Sequence, residues 1–568
     1  MTVTAGLTGG NPPATGPSAG EAGPRRNLSR DDTGRAYPDV EARFVPLIHG
    51  ANRLTGWLAP IGVTLIALAL RLWHLGQPNI VLFDETYYAK DAYSLWRYGY
   101  ARDWSQTTDV NKLVAEGHLH GLISNQPTEI VHPDGGKWLI GLGEQIFGMN
   151  SFGWRVASAV IGALTILVLC RLVRRLTGST LLGCVAGLLL TFDGLHFVMS
   201  RLALLDVFLG FWLVCGTACL VADRDWGRAR LARRHPAQPV RGFGPVRGLL
   251  LRPWRIGAGT CFGLACGTKW SGVYVLAVFA VLAWLWDINA RRAIGVRMAW
   301  LRSALVDGIP AFFSLIVVAL AAYLATWTSW LIHYKVFVTR FGTGNYGAPW
   351  GSYAAHPATG LVSNVVDAFK ALWHFHVMVY DFHTGSYLAH STHPYQSNPI
   401  GWLLMNRPVG IDAQTGLKPT YPGCDVSPGQ TCLRQILALG NPVLWWAGAA
   451  ALLLCLGWWV ARRDWRFSIP VLGVATTWLP WFLFDDRPIF FFYAVVIIPF
   501  TVIGLTLALG KLLGGPGAGV RRRRVGVAVI VGLLALEVVA FAFFYPIWAD
   551  SLIPTSSWQN RIWFTGWI

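Results

Sequence analysis

Two adjacent carboxylates, Asp84 and Glu85, follow the first long apolar segment of the chain and open a stretch that ends in Tyr87 and Tyr88. Carboxylates beside a bilayer are costly to keep, so their presence points to a function. The plainer reading is a helix cap, because Asp is favoured just before a first helical residue. Further charged residues stand at the ends of later apolar segments: Arg201 with Asp206, then Lys269, then Arg487. The five-residue spacing of Arg201 and Asp206 predicts that each has a partner elsewhere. Between the two groups lie His132, Pro133 and Lys137, in a Gly-rich turn that can receive a phosphate where it enters a helix. Each cation alone also reads as a snorkelling anchor. Together, carboxylates and cations at one membrane face are what an anionic, lipid-linked substrate needs.

The elements that must position them are apolar helices. Hydrophobic residues are 54% of the 568-residue chain and charged residues only 13%, about half the charge of a soluble domain. Several separated apolar runs reach the roughly 20 residues that a membrane crossing needs. We expect an all-α polytopic membrane protein with spans near 54–74, 152–173, 180–197, 202–222, 255–270, 271–288, 304–330, 441–461, 467–485, 488–511 and 525–547, about eleven in all. The divisions at Met199 to Asp206 and at Thr268 to Gly272 could also be breaks inside longer apolar stretches. The 29 tryptophans suit interfacial anchoring.

The net charge of +18 would suggest a nucleic-acid partner, but its distribution does not. Arginines crowd alternate loops, at 171–175, 224–255, 291–302, 462–466 and 511–524, while the long loops 75–151 and 331–440 hold few. By the positive-inside rule the N-terminal tail and the Arg-rich loops are cytoplasmic, and both long loops, Asp84 and the C-terminus lie outside. An odd number of spans fits these two ends. No nucleic acid is expected. Residues 1–53 are polar and rich in Gly, Pro, Ser and Thr, without the apolar core of a signal peptide, and read as a disordered cytoplasmic tail. In the first external loop, apolar and aromatic residues recur every three to four positions after Glu85 and again after Lys137, predicting two amphipathic helices.

Seven of the nine cysteines lie in apolar spans; Cys424 and Cys432 lie in the second external loop, where a structural disulfide can form. The histidines His374, His376, His383, His390 and His393 crowd that same loop without a clean metal motif. No metal is expected, and the histidines read as packing residues.

The ensemble resembles the protein O-mannosyltransferases, close to their actinobacterial members. The resemblance rests on Phe83, Asp84 and Glu85; His132, Pro133 and Lys137; the run Ser200 to Asp206; Thr268 to Gly272; Asn398 to Trp402 with Arg407 and Pro408; Gly440 to Pro442; and the aromatic run after Arg487. These occur in order from about residue 54 to the end. Two departures stand out: Asp134 and Gly135 replace the family's usual Pro and Leu after His132-Pro133, and the 331–440 loop has no room for a MIR domain.

The resemblance implies a GT-C fold. Its parts would be an N-terminal catalytic module at 54–330, the loop 331–440 and a C-terminal four-helix module at 441–568. It implies transfer of mannose from polyprenyl-phosphate mannose to Ser or Thr of exported proteins, at the outer face of a bacterial plasma membrane and without a cofactor. Expected partners are the lipid-linked donor, the exported acceptors, membrane lipids and the export machinery. Asp84 matches the family's catalytic aspartate and would act as base; Glu85 would position donor or acceptor and, as a like charge, raise the carboxylate pKa. His132, Asp206 and Tyr88 are expected to position donor or acceptor. The leaving phosphate would be met by Arg201 first, since guanidinium grips two oxygens, then by Lys269, Lys137 and Arg487. Direct displacement would invert the anomeric centre. An enzyme of the same class acting on a lipid or cell-wall glycan is the alternative. A transporter is a further rival, although the chain shows no internal repeat.

Overall fold

The structure, a computed structural model, describes residues 29–30, 36–37, 53–107, 109–233, 242–246, 249–344, 350–356, 358–515 and 517–568. Most of the tail expected over 1–53 lies outside the described residues; within it Ser29–Arg30 pairs antiparallel with Ala36–Tyr37.

The larger unit, Pro46–Ile568, is a helix bundle. Helix α1 (Thr55–Leu72) leads into the first long loop, which carries α2 (Glu85–Tyr98) and α3 (Gly135–Phe147). The chain re-enters the bundle through α4 (Ser151–Thr177), α5 (Thr180–Thr191) and the short α6 (Gly194–Met199). Next come α7 (Asp206–Arg233), α8 (Pro253–Cys266), α9 (Gly272–Ala293) and α10 (Ala299–Ala325). The second long loop contains α11 (Leu361–Thr384). The C-terminal part is built from α12 (Pro442–Arg462), α13 (Ser468–Trp478), α14 (Ile498–Leu513) and α15 (Val520–Trp548).

Among the described residues seven helices, α1, α4, α7, α9, α10, α12 and α15, are long and apolar enough to cross a membrane. The other four expected spans are shorter helices, and short neighbours extend three of them: α6 after α5, a 3-10 turn after α13 and another before α14. Pro480 and Pro499 stand at the last two breaks, where a missing N–H interrupts the ladder.

Both uncertain divisions are real breaks. Helix α6 ends at Met199 and α7 starts at Asp206; α8 ends at Cys266 and α9 starts at Gly272. Arg201, Asp206 and Lys269 therefore sit at helix ends rather than within spans. Close backbone approach explains the second break's neighbours. The Gly135 N–H donates to the Gly267 carbonyl at 3.0 Å, and a Cβ on Gly135 would lie 2.6 Å from that oxygen. Any larger residue at 135 would push α3 off the α8–α9 turn.

At the other end of the bundle, arginines of the basic loops are tied to carboxylates. Arg252 and Arg255 share Asp223 and Asp287 through contacts of 2.6–2.9 Å, which joins the ends of α7, α8 and α9. Arg291 pairs with Asp307 of α10.

The long loops carry helices and strands of their own. Both expected amphipathic helices are present: α2 buries Tyr88, Ala89, Ala92 and Leu95 while Tyr87 and Trp96 stay exposed. A hairpin of Arg102–Trp104 and Ile123–Pro127 joins α2 to α3. Phe375 of α11 shares a buried cluster with Leu95, Ile130, Trp327 and Trp330, so the two loops form one cap. A small antiparallel sheet was not foreseen: Val409–Leu417 pairs with Cys432–Ala438, which also pairs with Ile553–Pro554. The chain end is pinned, because Arg407 donates to the carbonyls of Gly566 and Ile568.

Cys424 and Cys432 are bridged and buried at the base of this sheet. Removing the bridge with Cys424→Ser/Cys432→Ser should cost about 2–3 kcal/mol, the entropy expected for so short a loop. A lower thermal midpoint for the purified variant, matched by reductant acting on the wild type, is the expected result.

Candidate active site

The site begins with how the Phe83–Glu85 turn is held. Phe83 has φ 47°, a left-handed conformation that is rare for a bulky residue. Such backbone persists only where surroundings over-determine it. Here the Phe83 ring sits edge-on to His393, Phe490 and Phe492 at 5.5–6.3 Å. From the other side Glu85 anchors the turn. Its carboxylate is fully buried and accepts from Arg155 Nε and Nη2 at 2.8 and 2.9 Å. The N–H groups of Leu82 and Ala203, each 3.0 Å away, complete four donors. Arg155 also binds the Pro78 and Ile80 carbonyls at 2.9 and 2.8 Å.

Glu85 is thus committed to the fold. The expected contact with donor or acceptor is replaced by a buried bidentate pair, with both oxygens occupied. Arg155 is a residue that sequence reasoning missed. Its signal is a lone arginine near the start of an apolar span, which in a membrane helix needs a partner.

Asp84 is different. It precedes α2 but its side chain accepts no cap hydrogen bond from the helix N–H groups, so the plain helix-cap reading does not describe it. Burial pushes its pKa up to about 6; Lys269 and the Tyr88 hydroxyl pull the other way, and Asp206 adds to the rise. The like charge that matters is therefore Asp206, since Glu85 is neutralised by Arg155. A half-buried carboxylate with a raised pKa that caps no helix N–H is suited to accept a proton.

Beside it opens a cavity of about 290 Å³. Asp84 does not line it, but its neighbours Asp206, Lys269 and Tyr493 do. Lys269 Nζ binds both Asp206 oxygens at 2.9 and 2.8 Å and lies 4.8 Å from the Tyr493 ring centre. With three donors, the ammonium keeps capacity for a further acceptor. Arg487 also faces the cavity. Its Nη1 lies 3.3 Å from His383 Nδ1, and its buried Nε has no hydrogen-bond partner among the described residues. A guanidinium with an open donor is what a phosphate oxygen would complete.

His132 and His383 stack at 5.9 Å on the same wall. Burial, reinforced by the cations Lys269 and Arg487, pushes His132 well below the usual imidazole pKa and His383 down to about 4. Both are neutral near pH 7 and can hydrogen-bond a sugar without adding charge. Tyr88 is buried between Asp84 and His132, its ring 6.2 Å from that of His132.

Two expected phosphate ligands lie elsewhere. Arg201 spends its guanidinium on the carbonyls of Arg71, Trp73 and His74 at 2.9, 2.6 and 3.1 Å, closing the C-terminus of α1. Lys137 is buried between Asp91 at 3.0 Å and Asp134 at 3.4 Å. Burial opposes its charge, but those carboxylates hold its pKa above the usual value. Neither lines the cavity. Asp134, one of the departures from the family motif, is thereby part of the ion cluster that fixes α3.

The five loop histidines do not converge. His376 stacks on Trp270, His374 lies by Tyr353, His393 packs on Phe490, and His390 bonds the Ser386 carbonyl. Among the described residues no group of three or more His, Cys, Asp or Glu forms a metal-binding set.

Comparison with known proteins extends this geometry. Residues 61–234 match the family model described as dolichyl-phosphate-mannose-protein mannosyltransferase. Residues 368–567 match the model for the C-terminal four-helix region of protein O-mannosyltransferase. The chain is 37% identical to the polyprenol-phosphate-mannose–protein mannosyltransferase of Mycobacterium tuberculosis, over 93% of this chain and 94% of the other. It is 32% identical to the enzyme of that name in Corynebacterium glutamicum, over 86% and 88%. The solved structure of the Saccharomyces cerevisiae protein O-mannosyltransferase Pmt1-Pmt2 complex bound to the sugar donor matches with a TM-score of 0.66. It covers 96% of this chain and 97% of the other at 13% identity, a likeness of fold.

The Glu85–Arg155 pair predicts an asymmetric mutational response. Arg155→Leu should cost about 3–5 kcal/mol, because it strands a buried charge. Adding Glu85→Met should recover much of that stability without restoring activity, since the turn carrying Asp84 loses its anchor. Thermal midpoints and transfer rates of the single and double variants check this.

Proposed function

The chain belongs to the dolichyl-phosphate-mannose-protein mannosyltransferase family, and on that footing we propose how its site carries out mannosyl transfer. The donor is a polyprenyl-phosphate mannose and the acceptors are Ser and Thr hydroxyls of exported proteins. The observation that carries this reading is the placement of Asp84, a proton-accepting carboxylate, against the Asp206–Lys269 pair that walls the cavity.

The donor's phosphate lies in the cavity against Lys269 and Arg487, and its prenyl chain follows the apolar wall toward lipid. The mannose reaches past Tyr493 and His132 toward Asp84. The acceptor hydroxyl approaches from the Asp84 side, gives its proton to that carboxylate, and attacks the anomeric carbon as the phosphate leaves on the opposite side. The transition state has oxocarbenium character, as in other displacements at a sugar. Leaving-group charge is met by preorganised cations, a large catalytic contribution where water is excluded. The reaction uses no metal in this reading, because Lys269 and Arg487 supply the positive charge. One displacement converts a β-linked donor into an α-mannoside.

The reaction face is extracytoplasmic. The Arg-rich loops lie at the opposite ends of the helices, which supports a cytoplasmic N-terminus and an external C-terminus in a bacterial plasma membrane. Acceptors that arrive unfolded from the export machinery would reach Asp84 most readily.

The test is transfer of radiolabelled mannose from polyprenyl-phosphate mannose to a Ser/Thr-rich peptide in membranes. Asp84→Asn should lower the rate about 10²- to 10⁴-fold, the usual worth of a general base. Label appearing only on lipid or glycan, or an unimpaired Asp84→Asn enzyme, would contradict the proposal. The wild-type kcat/KM should fall about tenfold per pH unit below the Asp84 pKa of about 6 and level off above it, since only the carboxylate form accepts a proton. Arg487→Gln should cost about 10²- to 10³-fold in kcat, the scale of a lost charge-stabilising donor, while leaving the thermal midpoint close to wild type.

A further inference from the structure

A second cavity, of about 720 Å³, opens at the far end of the bundle. Its wall includes Thr55 at the start of α1, Arg174 near the end of α4 and Thr180 at the start of α5. Asp84 follows the other end of α1, a helix of 18 residues and so about 27 Å long. The two cavities therefore occupy opposite faces, and mannosyl transfer uses nothing in this one.

Four cations from four separate segments converge on it. They are Arg174 of α4, Arg466 of the 3-10 turn Trp465–Phe467, Lys511 of α14 and Arg523 of α15. No Asp or Glu is among its described lining residues. Asp464, just outside, takes Arg466 in a two-point contact at 2.9 and 2.6 Å and lies 3.5 Å from Lys511. Arg174 Nε donates to the Thr180 hydroxyl at 2.9 Å, which places its guanidinium beside the N-terminus of α5. That helix contributes a positive dipole end as well.

Positive-inside topology explains why arginines occur at this face. It does not explain their convergence on one cavity with no carboxylate among its described lining residues. The other basic cluster at this end, around Arg252 and Arg255, carries its own two carboxylates, Asp223 and Asp287. Guanidinium groups beside a helix N-terminus are matched to phosphate oxygens. Leu182 and Leu507 on the same wall continue into the apolar faces of α5 and α14, which suits a phosphate that carries an acyl chain. We propose that this cavity binds a phosphate group at the face opposite the active site, supplied by an anionic phospholipid headgroup or by free phosphate. Basic pockets between membrane helices commonly hold such headgroups.

The test uses the full chain in three settings: phosphatidylcholine nanodiscs, the same with phosphatidylglycerol added, and phosphatidylcholine nanodiscs with inorganic phosphate in the buffer. Lipid carried through extraction is counted by native mass spectrometry, and thermal midpoints are read in all three. Lys511→Gln/Arg523→Gln removes two lining charges, and Arg523 is exposed, so folding should survive. Arg292→Gln/Arg521→Gln removes the same charge away from the cavity lining. Wild type and the second variant should retain phosphatidylglycerol equally. The first variant should retain about 25-fold less, about fivefold for each cation. A midpoint raised by phosphatidylglycerol alone assigns the site to lipid; a midpoint raised by inorganic phosphate alone assigns it to the free anion. Either result supports the site if the first variant loses it. Equal retention by both variants, with no shift from phosphate, would overturn the proposal.

Discussion

The buried pair of Glu85 and Arg155 is the interaction on which the site depends. An ion pair taken out of water does not stabilise a fold by default, because desolvation offsets its attraction. Here the pair is completed by two backbone N–H groups on the glutamate and two close carbonyls on the arginine. It ties the loop after α1 to α4 and to the turn after α6, three segments distant in sequence. With Phe83 held left-handed by its aromatic neighbours, the next residue, Asp84, has little freedom. The two adjacent carboxylates thus have opposite fates. One is neutralised by Arg155; the other keeps a raised pKa and caps no helix N–H.

The cations divide in the same way. Arg201 closes the end of α1 and Lys137 holds α3, each with every charge-bearing contact directed at the protein. Lys269 and Arg487 remain on the cavity wall with donors to spare. A site that must hold a leaving phosphate cannot let its cations be consumed by structure. The breaks at 199–206 and 266–272 let Asp206 and Lys269 meet at helix ends, where their charges escape the cost of sitting within a span.

Much of this was legible in the residues. Hydropathy gave the class and the helix positions, and the odd charges at helix ends marked Asp84, Asp206, Lys269 and Arg487. The amphipathic spacing after Glu85 and Lys137 gave α2 and α3. Which cation serves substrate and which serves the fold was not legible. Arg201 ranked first on guanidinium chemistry, but its partners are backbone carbonyls, which carry no sequence signal. Arg155 stands out in the residues only as a lone arginine near the start of an apolar span, and its partner, 70 residues away, was not legible. The small sheet escaped notice because one of its strands, Ile553–Pro554, spans only two residues and joins Cys432–Ala438 from a distant part of the chain. Some expected spans are composite because prolines and glycines interrupt them, and hydropathy averages over such breaks.

The most direct measurement is an experimental structure of the full chain in lipid with a non-hydrolysable polyprenyl-phosphate mannose analogue. Phosphate oxygens are predicted within about 3 Å of Lys269 Nζ and the Arg487 guanidinium, the range of a charged hydrogen bond, with the anomeric carbon turned toward Asp84. Glu85 should remain on Arg155. A phosphate bound by Arg201 or Lys137, or a sugar turned away from Asp84, would contradict this arrangement.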